Sequence, residues 1–235
     1  MLLEVENLEV AYGDYQVVWG VSLSVDAGES VALLGPNGSG KSTVVNTISG
    51  LLRVKSGAIT FDQTGLVGLP THARAPLGIA HVLERRRVFP HLTVLQNLQL
   101  GAWHPVAKAA RGQTLERVYR LFPRLKERSG QLARTMSGGE QQMLALGRGL
   151  MSLPRLLMVD EPFLGLAPQV MAQMKDVFET LKAEGMAILF IEQNVRLALS
   201  MSSRGYVLES GRLAIHGPSE DLLASPELRR IFIGG

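Results

Sequence analysis

Three short segments hold residue types that can act together on a polyphosphate. Gly35 to Ser42 reads GPNGSGKS, which fits the pattern G-x-x-x-x-G-K-[ST]. Glycines at this spacing let a backbone wrap closely around phosphate with its N–H groups pointing inward. A helix opening behind the loop adds partial positive charge. On this reading Gly35, Pro36, Asn37, Gly38, Ser39, Gly40 and Thr43 form the cradle. Lys41 places a cation on the β and γ phosphates, and Ser42 ligates Mg²⁺ through its hydroxyl. MVDEP (Met158 to Pro162) delivers two acids at the end of an apolar run. Beside a phosphate loop, Asp160 is expected to hold Mg²⁺ and Glu161 to polarise an attacking water as general base. MSGGEQQ (Met136 to Gln142) is the third segment. Ser137 with Glu140 three residues on makes a capping box, and the glycine pair leaves N–H groups open to an external anion.

The elements around these segments fit the chemistry. ESVALLG reads as a buried strand entering the phosphate loop, and TVVNTISGLL behind it as a helix. RLLMVD is a buried strand that ends in acid, and MAILFIEQN is another. Ligands of α/β sheets bind at the carboxyl ends of such strands. LLEVENLEV and VVWGVSLSV alternate apolar and polar residues around a turn-like AYGDYQ, which predicts an added antiparallel sheet. From about Thr93 to Leu150 the pattern becomes helical in TVLQNLQLGAW, QTLERVYRLF and GEQQMLALGRGLM. RGYVLESGRLAIHG predicts a hairpin around Ser210–Gly211. Strands alternating with helices on both sides of the helical stretch predict an α/β core with a largely parallel sheet.

Composition narrows the class. Of 235 residues, 46 % are hydrophobic and 19 % charged, which suits a folded globular chain and argues against disorder. Cysteine is absent, so disulfides and thiolate metal sites are excluded. No apolar run approaches the roughly 18 residues of a membrane span, and the first residues carry acids where a signal peptide needs a basic start. A cytoplasmic location is therefore expected, with any membrane link made through a partner. The net charge of +3 favours polyanions weakly and identifies none.

The three segments, in this order and context, resemble the nucleotide-binding subunit of ATP-binding cassette (ABC) transporters, over essentially the whole chain. The resemblance implies a P-loop NTPase (RecA-like) core with an N-terminal antiparallel β-subdomain and an inserted α-helical subdomain. It implies one ABC nucleotide-binding domain over residues 1–235, with the helical part at about 88–150. It also implies an ATPase that uses ATP and Mg²⁺. Ser137, Gly138, Gly139, Glu140 and Gln141 match the family signature, which contacts the γ-phosphate of ATP held by a second cassette. The implied working unit is a head-to-tail dimer with a sister subunit or a second copy. That dimer sits against membrane permease subunits at the inner face of the cell membrane. Tyr12, in AYG, matches the residue that stacks on adenine.

Several positions depart from the general family pattern. Glu84 stands where a Mg²⁺-sensing glutamine is usual, and a carboxylate there can itself ligate the metal. Gln193 stands where a catalytic switch histidine is usual; an amide can bond phosphate but cannot become cationic. Ala167 replaces an aspartate. E-x-R-R-V-F-P, SGGEQQMLALGR, DEP-x-LGLAP and EQN together resemble the ATPase subunits of branched-chain amino acid importers, the LivF type, where these departures are common. Leu83, Arg85 and Phe163 depart even from that branch, where proline, glycine and serine are usual. Phe163 is expected to put bulk close to Glu161. Urea or short-amide importers share most of the pattern. A non-transport ABC ATPase and a nucleotide-binding module without turnover remain as alternatives. The run Arg85–Arg86–Arg87 is followed by the apolar VFPHLTVLQNL. It lacks the spread of basic and aromatic residues that nucleic acid requires, so no nucleic-acid partner is expected. A solvated charge run and a coupling surface for the membrane partner are the readings left.

Overall fold

Strand alternation at the N-terminus folds back on itself. β1 (Leu3–Tyr12) and β2 (Tyr15–Val25) pair antiparallel, with Tyr12 opposite Tyr15 across a two-residue turn. The alternation in β1 breaks at Asn7, which has φ 47°, and the pairing register shifts between Val5 and Leu8. The computed structural model describes residues 1–233. β3 (Ser30–Leu34) is buried at every residue and runs through the phosphate loop into α1 (Lys41–Ile48). The helix thus begins at Lys41, two residues earlier than the apolar periodicity suggests. β4 (Ser56–Phe61) and β5 (Thr64–Gly65) complete an antiparallel sheet of order β2-β1-β4-β5.

A short α2 (Thr71–Arg74) leads to β6 (Ile79–Val82). Helices then follow one another: α3 (Val94–Gly101), α4 (Pro105–Ala109), α5 (Arg111–Leu121), α6 (Pro123–Glu127) and α7 (Gly138–Leu150). The two five-residue helices α4 and α6 were not legible from periodicity, because one turn of helix has no repeat to read. Each starts at a proline in the first turn, where the missing N–H costs nothing. α3 opens with a capping box between Thr93 and Gln96. Beyond them come β7 (Leu156–Asp160), α8 (Pro168–Ala183), β8 (Ala187–Glu192) and α9 (Val195–Met201). The hairpin β9 (Arg204–Glu209) and β10 (Arg212–Pro218) is followed by α10 (Ser219–Ala224) and α11 (Pro226–Ile233). No helix among the described residues is long and apolar enough to cross a membrane.

The second sheet has the order β10-β9-β3-β8-β7-β6. Its strands β9, β3, β8, β7 and β6 are parallel, and β10 runs antiparallel at one edge. β3, β7 and β8 are buried along their whole length, as expected of parallel strands covered on both faces. One hydrophobic core, including Leu3, Leu33, Ile48 and Phe61, joins the antiparallel sheet to the parallel one. A second, including Leu98, Leu144, Phe178 and Phe190, lies between the parallel sheet and the helices.

Polar contacts lock the junction between the sheets. Arg204 of β9 donates to both carboxylate oxygens of Glu29, at 2.6 and 2.9 Å, and to the carbonyl of Ser24 on β2 at 2.9 Å. The β9–β10 turn is also tied inward. Ser210 (φ 49°) and Gly211 (φ 78°) form a two-residue turn with two positive φ values, the geometry that matches strand twist in hairpins. The Gly211 N–H donates to the carbonyl of Ser39 in the phosphate loop at 3.0 Å, and its carbonyl accepts from Trp19 of β2 at 2.8 Å. One glycine therefore touches both sheets and the loop, and a Cβ on it would overlap the carbonyl oxygen of Val17. Gly211→Ala should lower unfolding free energy by at least ~3 kcal/mol, through both steric overlap and unfavourable φ. The shift in the urea midpoint measures this.

Candidate active site

The parallel order β3-β8-β7 sets the carboxyl ends of three buried strands side by side. Leu34 pairs with Glu192, and Asp160 with Ile191. Everything attached to those ends is gathered at one edge of the sheet. An open cleft of about 570 Å³ lies there, lined by Gly38, Lys41, Ser42, Glu84, Glu161 and Gln193, among others.

The phosphate loop leaves donors free. Gly40 caps α1 in the left-handed region (φ 100°), with no side-chain cap and no acid in the first turn. The first N–H groups of a helix have no partner within it. Here they face the loop with the positive end of the helix dipole, a ready anion site. The Lys41 side chain is 6 % exposed. Its Nζ donates to the carbonyls of Gly35 at 2.7 Å and Pro36 at 3.1 Å. Burial lowers its pKa, against the opposing charges of Glu161, Asp160 and Glu192. Ser42 is exposed. The Tyr12 ring is half exposed, and its hydroxyl lies 3.4 Å from Thr43 Oγ1. This puts an aromatic face beside the first turn of α1.

Opposite the lysine stand carboxylates. Asp160 is 5 % exposed. Burial first, and then the charges of Glu161 and Glu84, push its pKa up to about 6, while a hydrogen bond from Ser42 acts the other way. Glu161 turns out of β7 with φ 47°, and its N–H donates to the carbonyl of Ile191 at 2.9 Å. Gln193 Nε2 donates to Glu161 Oε1, so two residues 32 apart in sequence meet in the cleft. Glu84 is paired with Arg85 Nε at 3.3 Å. Ser42, Asp160 and Glu84 are oxygen donors of the type a hard cation takes. Among the described residues no cluster of three or more acids or histidines is close enough to hold a metal unaided. The donor set fits Mg²⁺, which usually takes one or two protein oxygens and completes its octahedron with phosphate and water.

Ser137 to Gln141 lie outside the cleft lining, at the start of α7. The capping box is formed: Ser137 Oγ accepts from Glu140 N, and the Glu140 carboxylate accepts from Ser137 N. Gly138 has the Arg86 guanidinium against it, close enough that a Cβ would meet it. Arg85, Arg86 and Arg87 all have positive φ (63°, 66° and 41°), a run of left-handed residues that sterics disfavour outside glycine. The arginine run is thus a strained turn, with Arg85 on the cleft and Arg86 on α7. Arg148, in the last turn of α7, donates to the Arg87 carbonyl at 2.7 Å and lies over the Phe89 ring. Phe163 corrects an expectation. Its side chain is 5 % exposed and packs edge-on against Phe178, with centroids 5.8 Å apart. The bulk expected beside Glu161 is instead buried in the core.

One acid of the site was missed from sequence. Glu192 ends β8 at 5 % exposure, and burial raises its pKa to about 7. A glutamate closing the apolar run MAILFI was the available signal.

Residues 18–164 match the family model for the ABC transporter. The chain is 45 % identical, over the full length of both, to BraG of Pseudomonas aeruginosa, a high-affinity branched-chain amino acid transport ATP-binding protein. It is 34 % identical, over 99 % of both, to LivF of Archaeoglobus fulgidus, a probable branched-chain amino acid transport ATP-binding protein. Among solved structures, the ADP conformation of an ATP-binding cassette of an ABC transporter superposes with a TM-score of 0.86. That match has 27 % identity and covers 100 % of this chain and 99 % of the other.

The buried acids give a pH dependence with a definite sign. A carboxyl whose pKa is raised by folding contributes stability below its unfolded value of about 4.5, and loses it as pH rises through about 7. His81 works in the opposite sense, because burial lowers its pKa to about 4. The difference between variants isolates Glu192. Glu192→Gln should gain stability relative to the parent between pH 5 and 7.5, by up to ~3 kcal/mol at 1.36 kcal/mol per pKa unit. Denaturant titrations at the two pH values test this.

Proposed function

Since the chain belongs to the ABC transporter family, we propose that it is the ATP-hydrolysing subunit of an importer for branched-chain amino acids. The observation that carries the catalytic reading is the cleft lined by Lys41, Glu161 and Gln193, with Asp160 buried at the end of β7 just before Glu161. The full-length similarity to BraG supports the cargo. Residues 1–235 act as one nucleotide-binding domain, in which α3 to α7 form the helical subdomain.

The roles follow from chemistry and position. The phosphate-loop N–H groups and Lys41 hold the β and γ phosphates of ATP, and Tyr12 stacks on the adenine. Ser42, Asp160 and Glu84 hold Mg²⁺. Bound Mg²⁺ supplies charge neutralisation to the transferring phosphoryl group. Gln193 fixes Glu161 by its hydrogen bond to Oε1. That leaves Oε2 to take the proton of the attacking water, so Glu161 acts as general base. Ser137 to Gln141, outside this cleft, contact the γ-phosphate of ATP bound to a second cassette subunit. A single copy is then incomplete, and closure of the dimer assembles the site. The groove beside the arginine run is lined by Leu51, Phe89, Leu100 and Trp103, all substantially exposed. It is the surface for the membrane permease subunits, which hold the protein at the inner face of the membrane.

Glu161→Gln should lower kcat for ATP by at least ~100-fold, the usual scale of general-base loss, with KM nearly unchanged. Retention of the parental rate would remove Glu161 from the role of base. Tyr12→Ala should weaken ATP binding by roughly tenfold, in line with ~1–3 kcal/mol per stacked base. For the cargo, the transporter reassembled in vesicles should take up leucine. Uptake of urea without leucine would assign it to the amide-transporting branch.

A further inference from the structure

Glu192 is buried beside the catalytic pair, and the proposed chemistry gives it no task. It stands in register with Leu34, the residue that enters the phosphate loop. The N–H groups of Asn194, Phe163 and Gln193 are turned toward its carboxylate, while Oε1 is fully buried without a hydrogen-bond partner. Phe163 belongs to the turn after Glu161, and Gln193 and Asn194 to the turn after β8. A single carboxyl group therefore faces both turns whose side chains meet in the Gln193–Glu161 bond. Further contacts fix the same two turns from outside. Phe163 packs on Phe178, and Phe178 on Phe190 of β8 with centroids 4.9 Å apart. Asn194 caps α9 by accepting from Leu197 N at 3.1 Å.

Its burial denies Glu192 the attacking water, so it is not a second base. Lys41 feels its charge, but the lysine amine is bonded to the carbonyls of Gly35 and Pro36, so Glu192 is not half of an ion pair. We propose that Glu192 is a positioning residue that fastens the Glu161–Leu164 turn to the Gln193–Asn194 turn, so that Gln193 holds Glu161 in line for attack. This rests on the ATPase reading above. The demand is geometric, since displacing reacting groups by about an ångström costs up to ~100-fold in rate. An amide of the same shape keeps an acceptor for the N–H groups; a methyl group keeps nothing.

The test compares Glu192→Ala and Glu192→Gln in the transporter reassembled with its partner subunits, with Mg-ATP kinetics and amide hydrogen exchange. Glu192→Ala should lose about tenfold to a hundredfold in kcat with KM for ATP within about twofold. The amides of Phe163 and Asn194 should exchange at least about tenfold faster than in the parent, while those of β3 do not change. Glu192→Gln should restore kcat to within about threefold and restore the exchange rates. Parental kcat in Glu192→Ala would overturn the proposal, as would a Gln variant as damaged as the Ala variant. Equally faster exchange in β3 would also overturn it, by showing a core defect in place of a local clamp. Absence of ATP hydrolysis in the reassembled parent transporter would instead reject the ATPase reading, and the exchange rates of nucleotide-free protein would still decide the clamp.

Discussion

The site depends on holding like charges together at the edge of a buried sheet. Asp160 and Glu192 end neighbouring strands, Glu161 follows directly, and Glu84 comes from the turn after β6. Lys41 is the cation set among them, and it is itself largely withdrawn from water. In low dielectric such repulsion is costly. Burial first, and then the charge of Glu161, raises the pKa values of Asp160 and Glu192. A divalent cation and a polyphosphate bring the missing charge balance, one to the carboxylates and the other to the lysine and the helix end.

Part of the backbone strain lies in the same place. Glu161 has positive φ, as do Arg85, Arg86 and Arg87. Left-handed conformations of ordinary residues cost of order 1 kcal/mol or more each and persist only where packing over-determines them. At Glu161 the constraint is visible in its N–H bond to Ile191 and the link from Gln193. At the arginine turn it comes from Arg148, whose guanidinium grips the Arg87 carbonyl. The turn joins the nucleotide cleft at Arg85 to the start of α7 at Gly138. A shift in one is therefore sterically felt in the other.

The two sheets have different tasks. The parallel sheet aligns the strand ends, while the antiparallel sheet carries Tyr12 to the first turn of α1. Their junction is fixed by directed contacts as well as apolar packing. Arg204 reaches both oxygens of Glu29 and the Ser24 carbonyl. Gly211 ties the hairpin turn to Ser39 and Trp19. The phosphate loop is thus held from below by β3 and from the side by a turn far along the chain, from Gly211 to Ser39.

The sequence by itself determined what depends on local order. The phosphate loop, the acid pair at Asp160–Glu161, the capping box at Ser137–Glu140 and the hairpin at Ser210–Gly211 each lie within a few residues, so spacing and turn chemistry declare them. Apolar runs likewise declared β3, β7 and β8, and helical spacing declared α7. Only tertiary structure decided what depends on strands far apart becoming neighbours. The strand order placed Gln193 on Glu161, made Glu192 a buried partner of both turns, and gave Arg86 its place on Gly138. It also turned Phe163 inward against Phe178, where side-chain volume alone pointed toward the site. Pairing in a parallel sheet is set by long crossovers and by the mutual burial of whole strands, and neither leaves a mark in any short window of sequence.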